Sequence, residues 1–356
     1  MYFSVVKVCV YGCFSVINKV SSLHYVIKIL IVYFLCLISV NTYANNSILE
    51  TNQSWASFTW DNDVVVGEDG AYTNGLYASI YNVYPDVDKR EIDTAWYFDI
   101  QRLMLKNSPG ERYVELHNFG QLMVTPVDIN KTVLDANDGL YAGVLFWQGS
   151  LLMADKEHAD IASLLLGIVG PLSVAEQTQK MVHDVTGSTE PQGWDTQLKN
   201  ELIFTFTRGR YWRLPETQFE TFEMDWIGGL ELDVGTFGTS LDGSIFVRLG
   251  EGLAGSYATF SLVSHRQSNP MAFPGSYYFY AGLGTGYNFY NILFDGNTYR
   301  DSRSLERDRF SNLATLGFTW SAQTWGLSVN INKSDVLLET ENESIKFASV
   351  TVYWRI

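Results

Sequence analysis

The amino-acid sequence predicts an all-β protein, an antiparallel transmembrane β-barrel of about 12 strands, on three observations. About a dozen segments of roughly 8 to 18 residues follow residue 44, and many alternate between apolar and polar side chains, the period of a strand with one wet and one apolar face. Aromatic residues make up 15% of the chain against only 8 Pro and 29 Gly, and Tyr and Trp suit a membrane boundary. No apolar run after Ala44 reaches the ~18 residues of a spanning helix. A chain crossing a bilayer must therefore cross it with strands, whose backbone groups a closed ring pairs without leaving an edge. A soluble β-sandwich or barrel is the structural alternative, and it does not need so many long strands.

The amino terminus sets the compartment. Lys28 precedes the apolar run Ile29 to Val40, and Thr42-Tyr43-Ala44 supplies small residues for a cut before Asn45. That plan predicts a cleaved signal peptide over 1–44 and a barrel domain over 45–356. An uncleaved anchor competes with it, because residues 4–20 are also fairly apolar. Cys9, Cys13 and Cys36 all lie in the leader, so the mature chain has no thiol, as suits passage through an oxidising periplasm. The formal charge is −15; residues 1–44 hold three of the 24 basic residues and no acid, which leaves 21 bases against 39 acids, a net of −18. Nucleic acid is thereby disfavoured as a partner.

The first strand, Ser54 to Val66, is interrupted by Asp61-Asn62-Asp63, which reads either as a turn or as a polar site built on a strand. Gly67 to Gly70 is the better turn, and Ala71 to Tyr81 returns as the second strand of a hairpin. Strand-like runs follow at 94–105, 112–124, 141–153 and 161–169, then at 197–213, 218–235, 243–250, 255–264, 277–290, 310–320, 324–332 and 345–356. Alternation is clearest at the end, where Ala348, Val350, Val352, Trp354 and Ile356 share one face and Ser349, Thr351, Tyr353 and Arg355 the other.

Between the sixth and seventh of these strands sits the one strong helix signal, from Gly167 to Glu201. Ser173 and Glu176 have the spacing of a capping box, and Gly187 is placed to end the helix. Glu176, Gln179, Lys180 and His183 recur at spacings of three and four and so share a face, with Val174, Met181 and Val185 as apolar cover. One polar face on one short helix is the expected place for chemistry.

Several blocks together resemble the outer-membrane lipid A 3-O-deacylase family, the LpxR-like barrels. They are Asp61-Asn62-Asp63; Tyr72-Thr73-Asn74-Gly75; Gln121 with Thr125-Pro126; Tyr141-Ala142-Gly143; and Leu166 to Pro171 continuing through Glu176, Gln179, His183 and Gly187 to Gly193-Trp194, Gln197 and Asn200-Glu201. Their order and spacing span roughly residues 55–215, while 216–356 match mainly in strand pattern. The resemblance implies a 12-stranded barrel with its site at the extracellular rim, between the wall and a short helix. It also implies calcium-assisted hydrolysis of the ester that holds the 3′-acyloxyacyl chain of lipid A, in a monomer of the Gram-negative outer membrane among its lipids and lipopolysaccharide. Residue by residue it assigns catalysis to His183, Gln179, Asn62, Asp63 and Thr73, and substrate binding to Lys131. Two positions depart from the family. Thr189 stands where an acidic residue is found, with Glu190 beside it, and Gly139-Leu140 replaces an Arg-Pro.

The chemistry of these residue types agrees. Imidazole titrates near neutrality and makes His183 a candidate base. Asp63, joined by Glu190, offers hard oxygen ligands to Ca²⁺, which would polarise a carbonyl. Asn62 can donate to an oxyanion and Lys131 can face a lipid phosphate. A non-catalytic porin-like barrel would share the strands but has no use for the helix. An outer-membrane phospholipase would share the esters and calcium but is expected to carry a serine nucleophile, and no serine here sits in a nucleophile elbow.

Overall fold

Alternation along the sequence becomes inside and outside in the structure. The computed structural model describes residues 53–62, 74–85, 95–105, 112–126, 128–134, 138–215, 217–253, 276–335 and 344–356, all in the unit Ala44–Ile356. The expected turn Gly67 to Gly70 and strand 255–264 lie outside the described residues, as do Asp63, Thr73 and the whole leader.

The strands are β1 (Gln53–Asn62), β2 (Asn74–Pro85), β3 (Arg112–Val124), β4 (Ala142–Ala154), β5 (His158–Val169), β6 (Glu201–Arg213), the two-residue β7 (Thr217–Gln218), β8 (Glu223–Gly235), β9 (Gly238–Glu251), β10 (Tyr277–Asn291), β11 (Phe310–Ser321), β12 (Trp325–Asp335) and β13 (Ser344–Arg355). Each long strand pairs antiparallel with its neighbours; β6 bypasses β7 to pair with β8, and β1 pairs with β13. Twelve strands therefore close a ring, and β7 is a short extra ladder against β8. No described helix is long and apolar enough to cross a membrane, and closure leaves no unpaired edge in lipid.

Inward positions fill the lumen. Near the chain termini Trp55, Tyr81, Leu116, Ile161, Tyr211, Phe246 and Tyr353 belong to one buried cluster, fed by β1 to β6, β8, β9 and β13. Near the other end Tyr77, Val144, Phe146, Leu165 and Ile203 pack with Leu140, Leu198, Ile292 and Leu305 from the connections. The loop between β10 and β11 thus folds inward as a plug. It is held by Arg303 Nη2 donating to the Asp138 carbonyl (2.7 Å), by Thr298 and Tyr299 N–H groups donating to the Glu201 carboxylate (3.0 and 3.2 Å), and by an amide exchange between Asn297 and Lys199 (2.8 and 2.9 Å).

Outward positions carry the lipid face, with Phe58, Trp60, Phe119, Leu145, Leu166, Leu283 and Leu316 all exposed. The described first and last strands begin and end at the same end of the ring, which an even strand number requires, and this is the periplasmic end; the described connections 170–200 and 292–309 lie at the extracellular end.

One segment departs from expectation. Residues 94–105 read as a strand, but Trp96–Phe98 forms a 3₁₀ turn leading into α1 (Asp99–Leu105). Phe98 and Leu105 bury against Tyr113, Leu151, Met153 and Ala162, which occupy outward positions of β3 to β5. The helix therefore lies on the outer wall, and Trp96, Ile100 and Leu103 on its far side are exposed. A helix lying between wall and lipid is apolar on both faces, so it lacks the one-sided pattern by which a helix is ordinarily recognised.

Candidate active site

The second outer-wall helix, α2 (Ala175–Thr186), lies at the extracellular rim and covers the expected site. Strand parity builds the wall beneath it. Phe58 and Trp60 point outward from β1, so Asn62 continues the outward face, while Asp61 points in and is buried. The ladders place Asn62 opposite Asn74, Asn74 opposite Met123, and Met123 opposite Gly143, one lateral row across β1 to β4. Trp60, Leu76, Gln121 and Leu145 form the next row toward the membrane centre. Across these rows, Met123 packs with Tyr141, Ala175 and Trp194 in one buried cluster, and Gln121 Nε2 donates to the Ser173 carbonyl at 2.7 Å. At Gly143 a Cβ would lie 2.3 Å from both Ala175 Cβ and Ser173 Oγ. Glycine is what lets the helix sit flush on the strand.

The entry to α2 differs from the expected capping box. Pro171–Ser173 is a 3₁₀ turn and Val174 is the N-cap, in the left-handed region (φ 56°) with no side-chain cap bond. The helix therefore starts after Ser173, whose hydroxyl is turned under it and buried with no protein partner among the described residues, and Glu176 pairs with Lys180 (3.0 Å) instead of the cap. A β-branched residue at positive φ is costly and persists where surrounding contacts over-determine it. Val174 and Met181, expected as cover, are exposed, as is Leu172; outside a barrel the solvent is lipid, so apolar residues gain by facing away from the wall. The predicted stop holds, with Gly187 left-handed at φ 72°.

The helix face toward the wall carries Ala175, Gln179 and, one turn on, His183. Gln179 is 2% exposed, and its Oε1 accepts from Trp194 Nε1 at 2.8 Å. That bond fixes the amide orientation and leaves Nε2 as a buried donor without a protein partner among the described residues. His183 is half-buried. Its carbonyl accepts from the N–H groups of Gly187 (2.8 Å) and Ser188 (3.0 Å), which wraps the chain back so that the Thr189 carbonyl meets Nδ1. A carbonyl only accepts, so Nδ1 carries the proton and Nε2 the lone pair of the neutral ring.

Glu190 is exposed and pairs with Lys180 (3.4 Å), and the hydrogen bond from Glu176 followed by Glu190 holds the Lys180 ammonium above its usual range. Lys131 approaches Asp128 at 3.8 Å and belongs to a turn tied to the α2 exit: the Ile129 carbonyl accepts from Gln192 N (2.9 Å) and Tyr141 Oη (3.3 Å), while Lys131 O would lie 2.9 Å from a Cβ at Gly193. The structure thus gathers Gln179, His183, Glu190 and the Lys131 turn around one helix, on the wall that Asn62 enters. Asp63 and Thr73 adjoin Asn62 and Asn74 in sequence and lie outside the described residues. Met123 is a contributor that the sequence reading did not name, and Gln121 and Trp194 entered it only as parts of the blocks that carry the resemblance, without a role; outward parity from Phe58 and Trp60 could have placed the wall.

Calcium finds no complete seat among the described residues. They hold no group of three or more His, Cys, Asp or Glu side chains placed to share a metal, and the Glu190 carboxylate is engaged by Lys180.

No curated protein matches the chain by sequence. Among solved structures, LpxR from Salmonella typhimurium superposes with a TM-score of 0.69 at 15% identity, covering 85% of this chain and 100% of that one, a likeness of fold. The β domain of a Bordetella autotransporter (TM-score 0.40, 10% identity, 86% and 99% covered) and the translocator domain of the Neisseria meningitidis autotransporter NalP (0.37, 10%, 87% and 92%) are more distant. The family described as Outer membrane protein LpxR matches residues 29–356. With every strand of the barrel inside that match and the ring closed at twelve strands, the chain belongs to the LpxR family of outer-membrane proteins.

Proposed function

We propose that the protein is a lipid A 3′-O-deacylase that hydrolyses the ester of the 3′-acyloxyacyl chain and so remodels lipopolysaccharide. The observation that carries this reading is the side of the wall on which α2 sits. Asn62, Gln121, Met123 and Gly143 occupy the face that elsewhere bears Phe58, Trp60, Phe119 and Leu145. A substrate reaches that face from within the outer leaflet, whose acylated amphiphile is lipid A.

His183 Nε2 takes a proton from water as the water oxygen attacks the ester carbonyl carbon, and the carbonyl electron pair moves onto oxygen. The buried Nε2 of Gln179 and the amide of Asn62 are the donors proposed to meet that oxyanion. Collapse breaks the bond to the sugar oxygen, which takes the proton from the imidazolium and leaves as the alcohol, and the acyl group departs as the acid. Lys131 is proposed to face a lipid A phosphate. Asp63, Thr73 and Glu190 stay proposed site residues on the resemblance.

Trp194→Phe tests the orientation of Gln179. The ring is kept and the hydrogen bond is lost, so deacylation of purified lipid A is expected to fall about tenfold, the value of one buried hydrogen bond, with barrel assembly unchanged. A wild-type rate removes Gln179 from the mechanism. Calcium dependence, with Asp63 as its proposed ligand, is carried by the resemblance; EDTA is expected to stop the reaction and added Ca²⁺ to restore it, and an unchanged rate removes the ion.

The phospholipase alternative requires a serine nucleophile. Ser173, the serine at this wall, is buried under α2 with no imidazole partner among the described residues. The purified protein, offered lipid A and a diacyl phospholipid in detergent with and without a serine-directed phosphonate, is expected to release acid from lipid A alone, with or without the inhibitor. Phosphonate-sensitive cleavage of the phospholipid replaces this reading.

A further inference from the structure

The plug between β10 and β11 is braced within itself before it touches the wall. It opens on one helical turn, Ile292–Asp295, capped by Asn291 Oδ1 accepting from Leu293 N at 3.0 Å. Asp295 accepts from Asn291 N (2.7 Å) and from Arg307 Nη2 (2.7 Å), so an ion pair whose guanidinium is buried ties the two ends of the loop together. Between those ends Tyr290 Oη donates to the Gly296 carbonyl (2.7 Å) and Asn297 N donates to Ser302 Oγ (2.7 Å). A loop so cross-braced moves as a unit.

What it grips is the entry of β6. The Asn297 side-chain amide exchanges two hydrogen bonds with the Lys199 main chain, Lys199 Nζ donates to the Asp301 carbonyl at 2.6 Å, and the Glu201 carboxylate accepts from the Thr298 and Tyr299 N–H groups. Glu201 is inward and buried while Leu202 is outward and exposed, so the alternation of β6 extended by one residue puts Asn200 on the outward face. There its Oδ1 accepts from Leu172 N at 2.8 Å, in the 3₁₀ entry of α2. The same segment reaches Gln179: Leu198 N donates to the Tyr141 carbonyl (3.1 Å), Gln197 N to the Trp194 carbonyl (3.1 Å), and Trp194 Nε1 to Gln179 Oε1. Residues 194–201 therefore hold the plug on one side of the wall, and the entry of α2 with its Gln179 on the other.

We propose that the plug is a positioning element for the outer-wall site: Asn297 and Glu201, inside the ring, fix residues 194–201 and through Asn200 and Trp194 hold α2 on the wall and Gln179 in its orientation. The proposal rests on the catalytic reading of α2; the mechanical link from plug to helix does not. Filling the lumen needs only apolar bulk, which Ile292 and Leu305 supply, and the polar grip on 199 and 201 does something further. It also accounts for Val174. Leu172 N is held by Asn200 and the Ser173 carbonyl by Gln121, so the left-handed residue that follows is fixed from outside the helix, as a costly conformation requires.

The test is amide hydrogen exchange of the purified full chain in detergent, with kcat and KM for purified lipid A measured beside it and heat-modifiable gel migration confirming a closed barrel. The variants are Asn297→Ala; Glu201→Gln, which keeps the shape and one acceptor; and Asn200→Ala, which cuts the link on its outer side. Each is expected to quicken exchange in peptides covering 172–186 about tenfold, the value of one buried hydrogen bond, and to lower kcat by about the same factor with KM unchanged. Asn297→Ala combined with Asn200→Ala is expected to add little to either single change, because both cut one chain of contacts. Unchanged α2 exchange in closed Asn297→Ala and Glu201→Gln barrels overturns the proposal, as does quickened exchange with kcat unchanged, or full additivity in the double variant. A wild type that leaves lipid A intact removes the catalytic reading of α2, and exchange in the same variants then still decides whether the plug seats the helix.

Discussion

His183→Ala is expected to lower lipid A deacylation about 10³-fold, within the roughly 10²–10⁴ that a positioned general base contributes. The change is local. Alanine is the best helix former, so α2 keeps its length, and the contacts that seat the helix, Ala175 on Met123 and Trp194 on Gln179, lie one or more turns away. The barrel is expected to assemble and to show wild-type heat-modifiable migration. The ring orientation sharpens the expectation: the Thr189 carbonyl keeps the proton on Nδ1, so Nε2 is the nitrogen that can accept one. A variant that retains its rate removes His183 from the role of base.

Gly143→Val is expected to cost about 100-fold in activity without opening the barrel. Its Cβ would fall 2.3 Å from Ala175 Cβ and Ser173 Oγ, so α2 has to lift from β4. Displacements near 1 Å in a catalytic constellation cost on the order of 10²-fold. The strand itself tolerates the change, because valine favours extended backbone and the β3 and β5 ladders run through main-chain groups. Limited proteolysis in the α2 exit, around Gly187 to Glu190, should quicken in parallel. Full activity in a folded Gly143→Val barrel would mean that contact between helix and wall is not needed.

Much of this architecture was legible because the strand period is short and the lipid face is consistent. The expected bounds 112–124 match β3, and the final strand was readable from Val350, Val352 and Trp354 alone. The helix was visible through Gln179, His183 and Gly187, which obey the 3.6-residue period and the left-handed stop. Its cap was not, because Val174 takes a conformation that β-branched residues rarely adopt, and no local rule anticipates it. Residues 94–105 failed for the reason given by their surroundings: Trp96, Ile100 and Leu103 face lipid while Phe98 and Leu105 face the wall. The plug was equally hidden, since Ile292 and Leu305 owe their burial to residues far away in sequence, Leu140 and Leu198 among them. Within the site, residue type suggested His183 and Asn62, but only the ladder shows that Asn62 and Met123 share one outward row.

Mass spectrometry of lipid A from cells that express the protein tests whether the outer-wall site hydrolyses an ester of lipid A. Loss of the mass of one acyloxyacyl group with the wild type, and intact lipid A with His183→Ala at equal outer-membrane abundance, is the predicted result. Unchanged lipid A from correctly inserted wild-type protein would contradict it.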